Sequence, residues 1–338
     1  MTTHLVHGGA LGAAIARFGG ALETWLDLST GINPVPPPMP ALSPAVFARL
    51  PERAAEEALI ASACCFFGAG ESAAIAIAPG SQALISLLPH LLPPAEAAIL
   101  APAYAEHARA FRAAGHRVRA MPGLGDLGAN TQTVVMVNPN NPDGRRFARA
   151  ELLALADQLA EGGGLLVVDE AFMDADPCET LSGDAGRPGL VVLRSFGKFF
   201  GLAGLRLGFA LGEPRLMAAI AERLGPWAVS GPALAVGAAL MGDAALVATL
   251  RRDIALRADL TRGAIGGAGL EAFGDAALFA LVEVPGAHAL FEALARRHIL
   301  TRPFADQPNW LRIGQVRDEA EAERLRTALG DALAEIGA

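Results

Sequence analysis

Short, almost wholly apolar runs separated by helix-length segments constrain this chain most. IAIAP (Ile75 to Pro79), Ala98 to Ala101, Val118 to Met121, Val134 to Val137, Leu165 to Val168, Leu190 to Arg194 and Leu207 to Leu211 read as strands. Gln82 to Leu92, Glu106 to Ala114 and Arg149 to Glu161 read as helices between them. Strands that are apolar at nearly every position are buried on both faces, and interleaved helices are the crossovers of a parallel or mostly parallel sheet. The pattern specifies an α/β protein. Before it lie a short helix from Leu11 to Phe18, the turn- and polyproline-rich LDLSTGINPVPPPMP (Leu26 to Pro40) and a helix over Ala54 to Phe67. After Pro214 a helical region reaches about Gly267, interrupted at Pro226 and Pro232, and from Leu278 the tail reads strand, helix, strand, helix. The expected organisation is an N-terminal arm over residues 1–45 joining the small domain, a large domain over 46–230 and a smaller α+β domain over 231–338.

Composition removes several function classes. A formal charge of -8 and no basic stripe argue against a nucleic-acid partner. The longest apolar stretches, Ser72 to Ala105 and Ala228 to Met241, are broken by Pro, Gly or Glu or are too short to span a bilayer, so no membrane role is expected. No basic segment followed by an apolar core opens the chain, and three cysteines, two of them adjacent (Cys64, Cys65), make no disulfide framework. A cytoplasmic, reduced setting is expected. The seven histidines show no metal-ligand spacing, with His4 and His7 an isolated pair, so no metal is expected.

Among 27 basic residues there is one lysine, Lys198. Arginine replaces lysine wherever only charge is needed, but a guanidinium cannot form an imine. Lys198 lies in SFGKFFGLAGLRLGF (Ser195 to Phe209), a Gly-rich loop between two expected strands. Phe196, Phe199 and Phe200 around it favour a partly desolvated amine, the form that attacks a carbonyl. Ser195, three residues before, and Arg206, eight after, offer a hydroxyl and a bidentate cation suited to a phosphate on the same ligand.

The segment resembles the cofactor-lysine region of the class I and II aminotransferases. That resemblance implies the pyridoxal-phosphate-dependent transferase fold (fold type I), a mostly parallel central sheet flanked by helices with a smaller α+β C-terminal domain. It also implies pyridoxal 5′-phosphate carried by Lys198 as a Schiff base, and a homodimer. Ser195 and Arg206 would contact the cofactor phosphate. In Asp169-Glu170-Ala171-Phe172, at a strand's C-terminal end where ligands of open α/β sheets bind, Asp169 would pair with the pyridine nitrogen; taken alone, it could equally cap a helix. VNPNNPDG (Val137 to Gly144) is turn chemistry in any protein, but by resemblance Asn141 would donate to the ring's 3-hydroxyl. APGSQALISLL (Ala78 to Leu88) turns from a strand into a helix, making Gly80, Ser81 and Gln82 candidates for the phosphate. Tyr104, the only tyrosine, occupies the position of the stacking aromatic. Two positions depart from the family pattern: Phe172 stands where a tyrosine often donates to the 3-hydroxyl, and Leu50-Pro51 where a Tyr-Pro pair often reaches the neighbouring subunit's cofactor.

Gly123-Leu124-Gly125-Asp126-Leu127-Gly128 matches a dinucleotide fingerprint, but Ala129 to Val137 leads into a strand rather than the helix a pyrophosphate needs. There is no Gly-x-Ser-x-Gly elbow.

His7-Gly8-Gly9 and WLDLSTGINPVP (Trp25 to Pro36), with the DEAF sequence at Asp169, resemble the threonine-phosphate decarboxylases of cobalamin biosynthesis, a group near the histidinol-phosphate aminotransferases. The resemblance implies conversion of L-threonine O-3-phosphate to (R)-1-amino-2-propanol O-2-phosphate. It also points to His7, Asn33, Arg302 and Arg312 for the substrate's phosphorylated end, with Arg312 in Trp310-Leu311-Arg312-Ile313-Gly314 at the family's substrate-anion position. A histidinol-phosphate-type aminotransferase and a non-catalytic domain of the same fold are the alternatives. Retention of Lys198, Asp169, Asn141 and Arg206 together speaks against the second.

Overall fold

The structure, a computed structural model, describes residues 8–337. The chain forms two compact units. One comprises Pro36–Asn141 and Arg146–Arg251. The other takes the chain up to Val35, the four residues Pro142–Arg145 and everything from Arg252 onward.

The first unit is built on a seven-stranded sheet in the order Ala74–Ala78, Gly208–Gly212, Leu190–Ser195, Leu165–Asp169, Thr131–Val137, Glu96–Leu100, Arg117–Met121. All neighbours pair in parallel except at Gly208–Gly212, which runs antiparallel to both of its partners. Every residue of Leu190–Ser195 and of Gly208–Gly212 is buried, the double-faced burial that the unbroken apolar runs specify. Leu84, Ile85, Phe111, Val135, Val167, Val191, Leu193 and Ile220 form one core cluster. Burying such side chains contributes about 1.5–3 kcal/mol each. The Gly123–Gly128 loop makes one 3-10 turn at Leu124–Asp126 and then enters the strand Thr131–Val137, so no helix follows it.

The direction of the strands fixes the site. Parallel strands deliver their C-terminal ends to a single edge of the sheet. The reversed strand brings its N-terminal end there instead, since Gly208 stands opposite both Ala78 and Ser195 in register.

The helical stretch after Pro214 is three helices, Pro214–Leu224, Gly231–Met241 and Ala244–Gly267. Pro232 does not interrupt it. The ring sits in the first turn of Gly231–Met241, where its missing N–H costs nothing, and Ser230 caps that helix by accepting from the Ala233 amide. A break that the proline pattern does not reveal falls at Gly242 and Asp243.

In the second unit Leu26–Asp27 pairs in parallel with Ile299–Leu300, so part of the turn-rich stretch is a short strand. The tail differs from the sequence expectation of one strand between two helices. After Ile299–Leu300 the chain forms Arg302–Phe304 and Gln307–Gly314, outer and inner strands of a four-stranded antiparallel sheet completed by Phe279–Glu283 and Ala272–Phe273. Pro303 masks the first of them in the sequence. It is tolerated because that strand lies at the sheet's edge, where one side needs no ladder donor. No single helix among the described residues is long and apolar enough to cross a membrane.

Candidate active site

Ten of the residues singled out from the sequence lie at or just beyond the strand ends gathered on one edge of the seven-stranded sheet. Asp169 ends Leu165–Asp169 and is 3% exposed. Its Oδ2 lies 2.9 Å from His107 Nε2, and its Oδ1 accepts from the Ala171 amide at 3.0 Å. Burial pushes the Asp169 carboxyl up. The hydrogen bond and charge of His107, the charge of Lys198 and the Ala171 amide together outweigh it, holding the group below the ordinary carboxylate range. Asp169 is thus a buried group kept as an anion.

Lys198 lies in the single helical turn Phe196–Phe199 directly after Leu190–Ser195. Phe196, Phe199 and Phe200 are all fully buried around it. Its Nζ is 3.5 Å from Ser195 Oγ and 5.1 Å from the centroid of the buried Phe172 ring. Tyr104 immediately precedes the helix Ala105–Ala113 and donates its hydroxyl to Gln82 Oε1 at 3.1 Å. Asn141 follows the cis Asn138–Pro139 peptide. There Asn138 clamps the loop by exchanging two hydrogen bonds with the Phe147 backbone, and Asn140 donates to Pro102 O at 2.9 Å.

Gly80 has φ +88, a conformation L side chains rarely adopt, and a Cβ there would stand 2.5 Å from Arg206 Nη2. Arg206 itself has φ 55, an unusual conformation for a residue with a side chain. Ser81 follows Gly80 and opens the helix Ser81–Leu87. These donors suit a phosphorylated aldehyde. The Lys198 amine could take the carbonyl, Asp169 could pair with a protonated ring nitrogen, and Arg206 with Ser81 and Ser195 could take the phosphate.

Sequence reasoning missed several residues. His107, in the first turn of Ala105–Ala113, carries no local signal of its pairing with Asp169 62 residues away. Gly208 lets the antiparallel strand approach the phosphate loop, since a Cβ there would lie 2.2 Å from Ser81 N. Arg194, 1% exposed, pairs with Glu170 and Asp174 and donates to Thr180 Oγ1 at 2.8 Å. Burial pushes the Glu170 and Asp174 carboxyls up in spite of that cation. The cluster anchors the turn that follows Asp169.

In the second unit Arg302 and Arg312 stand directly opposite each other on adjacent antiparallel strands. Arg312 is 5% exposed, donates to Ser29 O at 2.8 Å and lies over the Phe279 ring at 5.0 Å. Burial, and then the charge of Arg302, push the Arg312 guanidinium down to about 9. A buried cation beside a second cation gains most from an anion, so the pair has the chemistry of an anion site. Asn33, almost fully buried, accepts at Oδ1 from the Val35 amide at 3.0 Å and from Arg257 Nη1 at 3.4 Å. His7 lies outside the described residues. Among the described residues no group of three or more metal-ligating side chains comes together.

The model of the family "Aminotransferase class I and II" matches residues 31–329. Threonine-phosphate decarboxylases of Sinorhizobium sp. and Pseudomonas aeruginosa are 46% and 45% identical, over 97% and 96% of this chain and 98% and 97% of theirs. The histidinol-phosphate aminotransferase of Anaeromyxobacter sp. is 35% identical over 60% of this chain and 58% of its own. Among solved structures, the histidinol-phosphate aminotransferase of Sinorhizobium meliloti in complex with pyridoxal-5′-phosphate superposes with a TM-score of 0.84 at 22% identity, covering 99% of this chain and 96% of that one.

Proposed function

The chain belongs to the class I and II aminotransferase family, and from that premise we propose that it decarboxylates L-threonine O-3-phosphate to (R)-1-amino-2-propanol O-2-phosphate using pyridoxal 5′-phosphate. One observation carries the choice of reaction: likeness to decarboxylases runs the full length of the chain, whereas likeness to the aminotransferase of Anaeromyxobacter stops near three fifths of it. The place of such a reaction is cobalamin biosynthesis.

Bound pyridoxal phosphate supplies an electron sink for the pair released when a bond at the substrate's α-carbon breaks. Lys198 is the amine that would hold it, and Asp169, kept anionic, would keep its ring nitrogen protonated. Tyr104 would supply the aromatic partner of the ring and Asn141 a donor for the ring hydroxyl. Phe172 lies beside the lysine, and Gly80, Ser81, Gln82, Ser195 and Arg206 would take the cofactor phosphate. Arg302 and Arg312, with Asn33 and His7, take the phosphate of the substrate.

That division of labour selects the bond. A decarboxylase would have to offer the bond to the substrate's carboxylate, rather than the α-hydrogen, to that electron sink. It must also leave that carboxylate loosely held. Each charge-assisted hydrogen bond to it, about 1.5–3 kcal/mol, would be lost as neutral carbon dioxide forms and would raise the barrier. Spending both arginines on the phosphate meets the two demands together.

The protein acts in the cytoplasm as a homodimer. Exposed Phe47 (68%), Leu50 (65%) and Trp227 (53%) in the unit built on the seven-stranded sheet support self-association. The deciding assay supplies purified protein with L-threonine phosphate and scores carbon dioxide and amino-alcohol phosphate. Amino transfer to 2-oxoglutarate without gas would overturn the reading in favour of a histidinol-phosphate-type aminotransferase. Lys198→Arg is expected to lose the cofactor's visible band and all turnover.

A further inference from the structure

The Lys198 nitrogen faces one side chain that can neither give nor take a proton. Nζ lies 5.1 Å from the Phe172 ring centroid, within the range at which an aromatic face attracts a cation. The ring is 5% exposed, and its chain neighbours Ala171 and Met173 are buried as well, at 4% and 0%. The negative face of a ring stabilises an ammonium but does nothing for a neutral amine. Resting on the assignment of Lys198 above, we propose that Phe172 is a positioning residue: its ring face holds the lysine, whenever it is not bonded to the cofactor, as the ammonium that supplies a proton to the substrate's α-carbon.

The proton is required by the balance of the reaction. The bond between the α-carbon and the carboxylate breaks, and its electron pair stays with the carbon. One proton must then take the place of carbon dioxide. Lys198 gives that proton, is left as a neutral amine, and recovers a proton from solvent. Other groups act on the same nitrogen. The carboxylates of Asp169, from the strand Leu165–Asp169, and Asp174, from the turn Met173–Ala175, both feel its charge. Ser195 Oγ lies 3.5 Å away, and His107 faces Asp169 from the helix Ala105–Ala113. Both carboxylates favour the ammonium as well, so the contribution of the ring must be isolated with them in place.

A single lysine makes the measurement direct. Protein grown on lysine labelled with carbon-13 at Cε gives one side-chain resonance to titrate, in the cofactor-free chain and independently of turnover. Phe172→Leu removes the ring at similar volume and is expected to lower the Lys198 midpoint by roughly 0.5–1.5 pH units. Phe172→Met should do the same and serves if the leucine variant fails to fold. Phe172→Tyr keeps the ring face and should restore the wild-type midpoint. In the loaded enzyme the alkaline limb of decarboxylation should move to lower pH by the same amount in the ring-less variants. Folded leucine or methionine variants that titrate with the wild type would overturn the proposal, as would an equal fall in the tyrosine variant. A shifted midpoint in a protein that releases no carbon dioxide would sink the decarboxylase reading and leave the contact between ring and amine standing.

Discussion

Removing the imidazole beneath the buried aspartate is the most exposed test of the site's electrostatics. His107 and Asp169 are 1% and 3% exposed, and their 2.9 Å contact replaces solvent almost entirely. His107→Leu keeps volume but cannot donate. It leaves a buried carboxylate with the Ala171 amide and the field of Lys198 as its remaining stabilisation. Breaking a buried pair costs about 3–5 kcal/mol, and the surviving amide bond places the expected loss near the lower figure, a large share of a typical stability of ~5–15 kcal/mol. The pH dependence carries the sign. With His107 present the folded pKa is below the unfolded one, so the stability contributed by Asp169 is present above the ordinary carboxylate range and is lost only as pH falls through the folded value. Without His107, burial dominates and the folded pKa rises above the unfolded one. The variant then regains stability on acidification from neutral pH, as its carboxyl takes up a proton that the unfolded chain does not yet bind. Urea unfolding of the cofactor-free protein at neutral and mildly acidic pH should show the gap narrowing, and His107→Gln, which keeps a donor, should recover most of the loss. A gap below about 1 kcal/mol at neutral pH, or one that stays constant with pH, would refute the pairing as the reason Asp169 remains ionised.

Two further outcomes are expected. Gly208→Ala drives a methyl to within 2.2 Å of Ser81 N, backbone that cannot step aside, so it should cost about 1–3 kcal/mol and weaken pyridoxal-phosphate affinity at least roughly tenfold in a visible-band titration. Wild-type affinity would show the close approach to be unnecessary. Arg312→Met removes a buried guanidinium beside Arg302, so KM for threonine phosphate should climb steeply while the cofactor's visible band is unchanged. A variant unchanged in KM would contradict the anion-site assignment.

What the sequence disclosed follows from how local each signal is. Asp169, Lys198 and Gly80 each sit where an apolar run ends, so strand periodicity and flanking residues located them without knowledge of which strands are neighbours. His107 needed that knowledge. It lies 62 residues from Asp169, and only the pairing of parallel strands brings the two together. Arg194 was hidden for the opposite reason, since it reads as the polar end of the run Leu190 to Arg194, whereas its side chain is tied to carboxylates 20 and 24 residues away. The hairpin Arg302–Phe304 and Gln307–Gly314 was obscured by Pro303, a residue that reads as a strand breaker unless the strand is known to lie at an edge. Turn chemistry likewise concealed Leu26–Asp27, whose ladder partners are about 270 residues on.

The antiparallel strand explains why one loop can carry both the amine and the cation assigned to the cofactor. Leu190–Ser195 delivers Lys198 to the edge of the sheet, and had the next strand been parallel, a crossover of a dozen or more residues would have carried the chain to the opposite edge first. Instead the twelve residues of Phe196–Leu207 return the chain to the same edge, and Ser195 and Gly208 stand opposite each other in register. Arg206, at the foot of the returning strand, therefore arrives beside Gly80 on the edge that Lys198 already occupies. Two close approaches within that return exclude side chains. Gly197 would place a Cβ 2.6 Å from Ala203 Cα, and Gly208 would place one against Ser81. Gly197 and Gly208 are thus the steric condition for holding an aldehyde-binding amine and a phosphate-binding guanidinium eight residues apart on one edge. They do not mark a flexible loop. Any substitution that adds a Cβ at these two positions should uncouple the two groups before it unfolds the sheet.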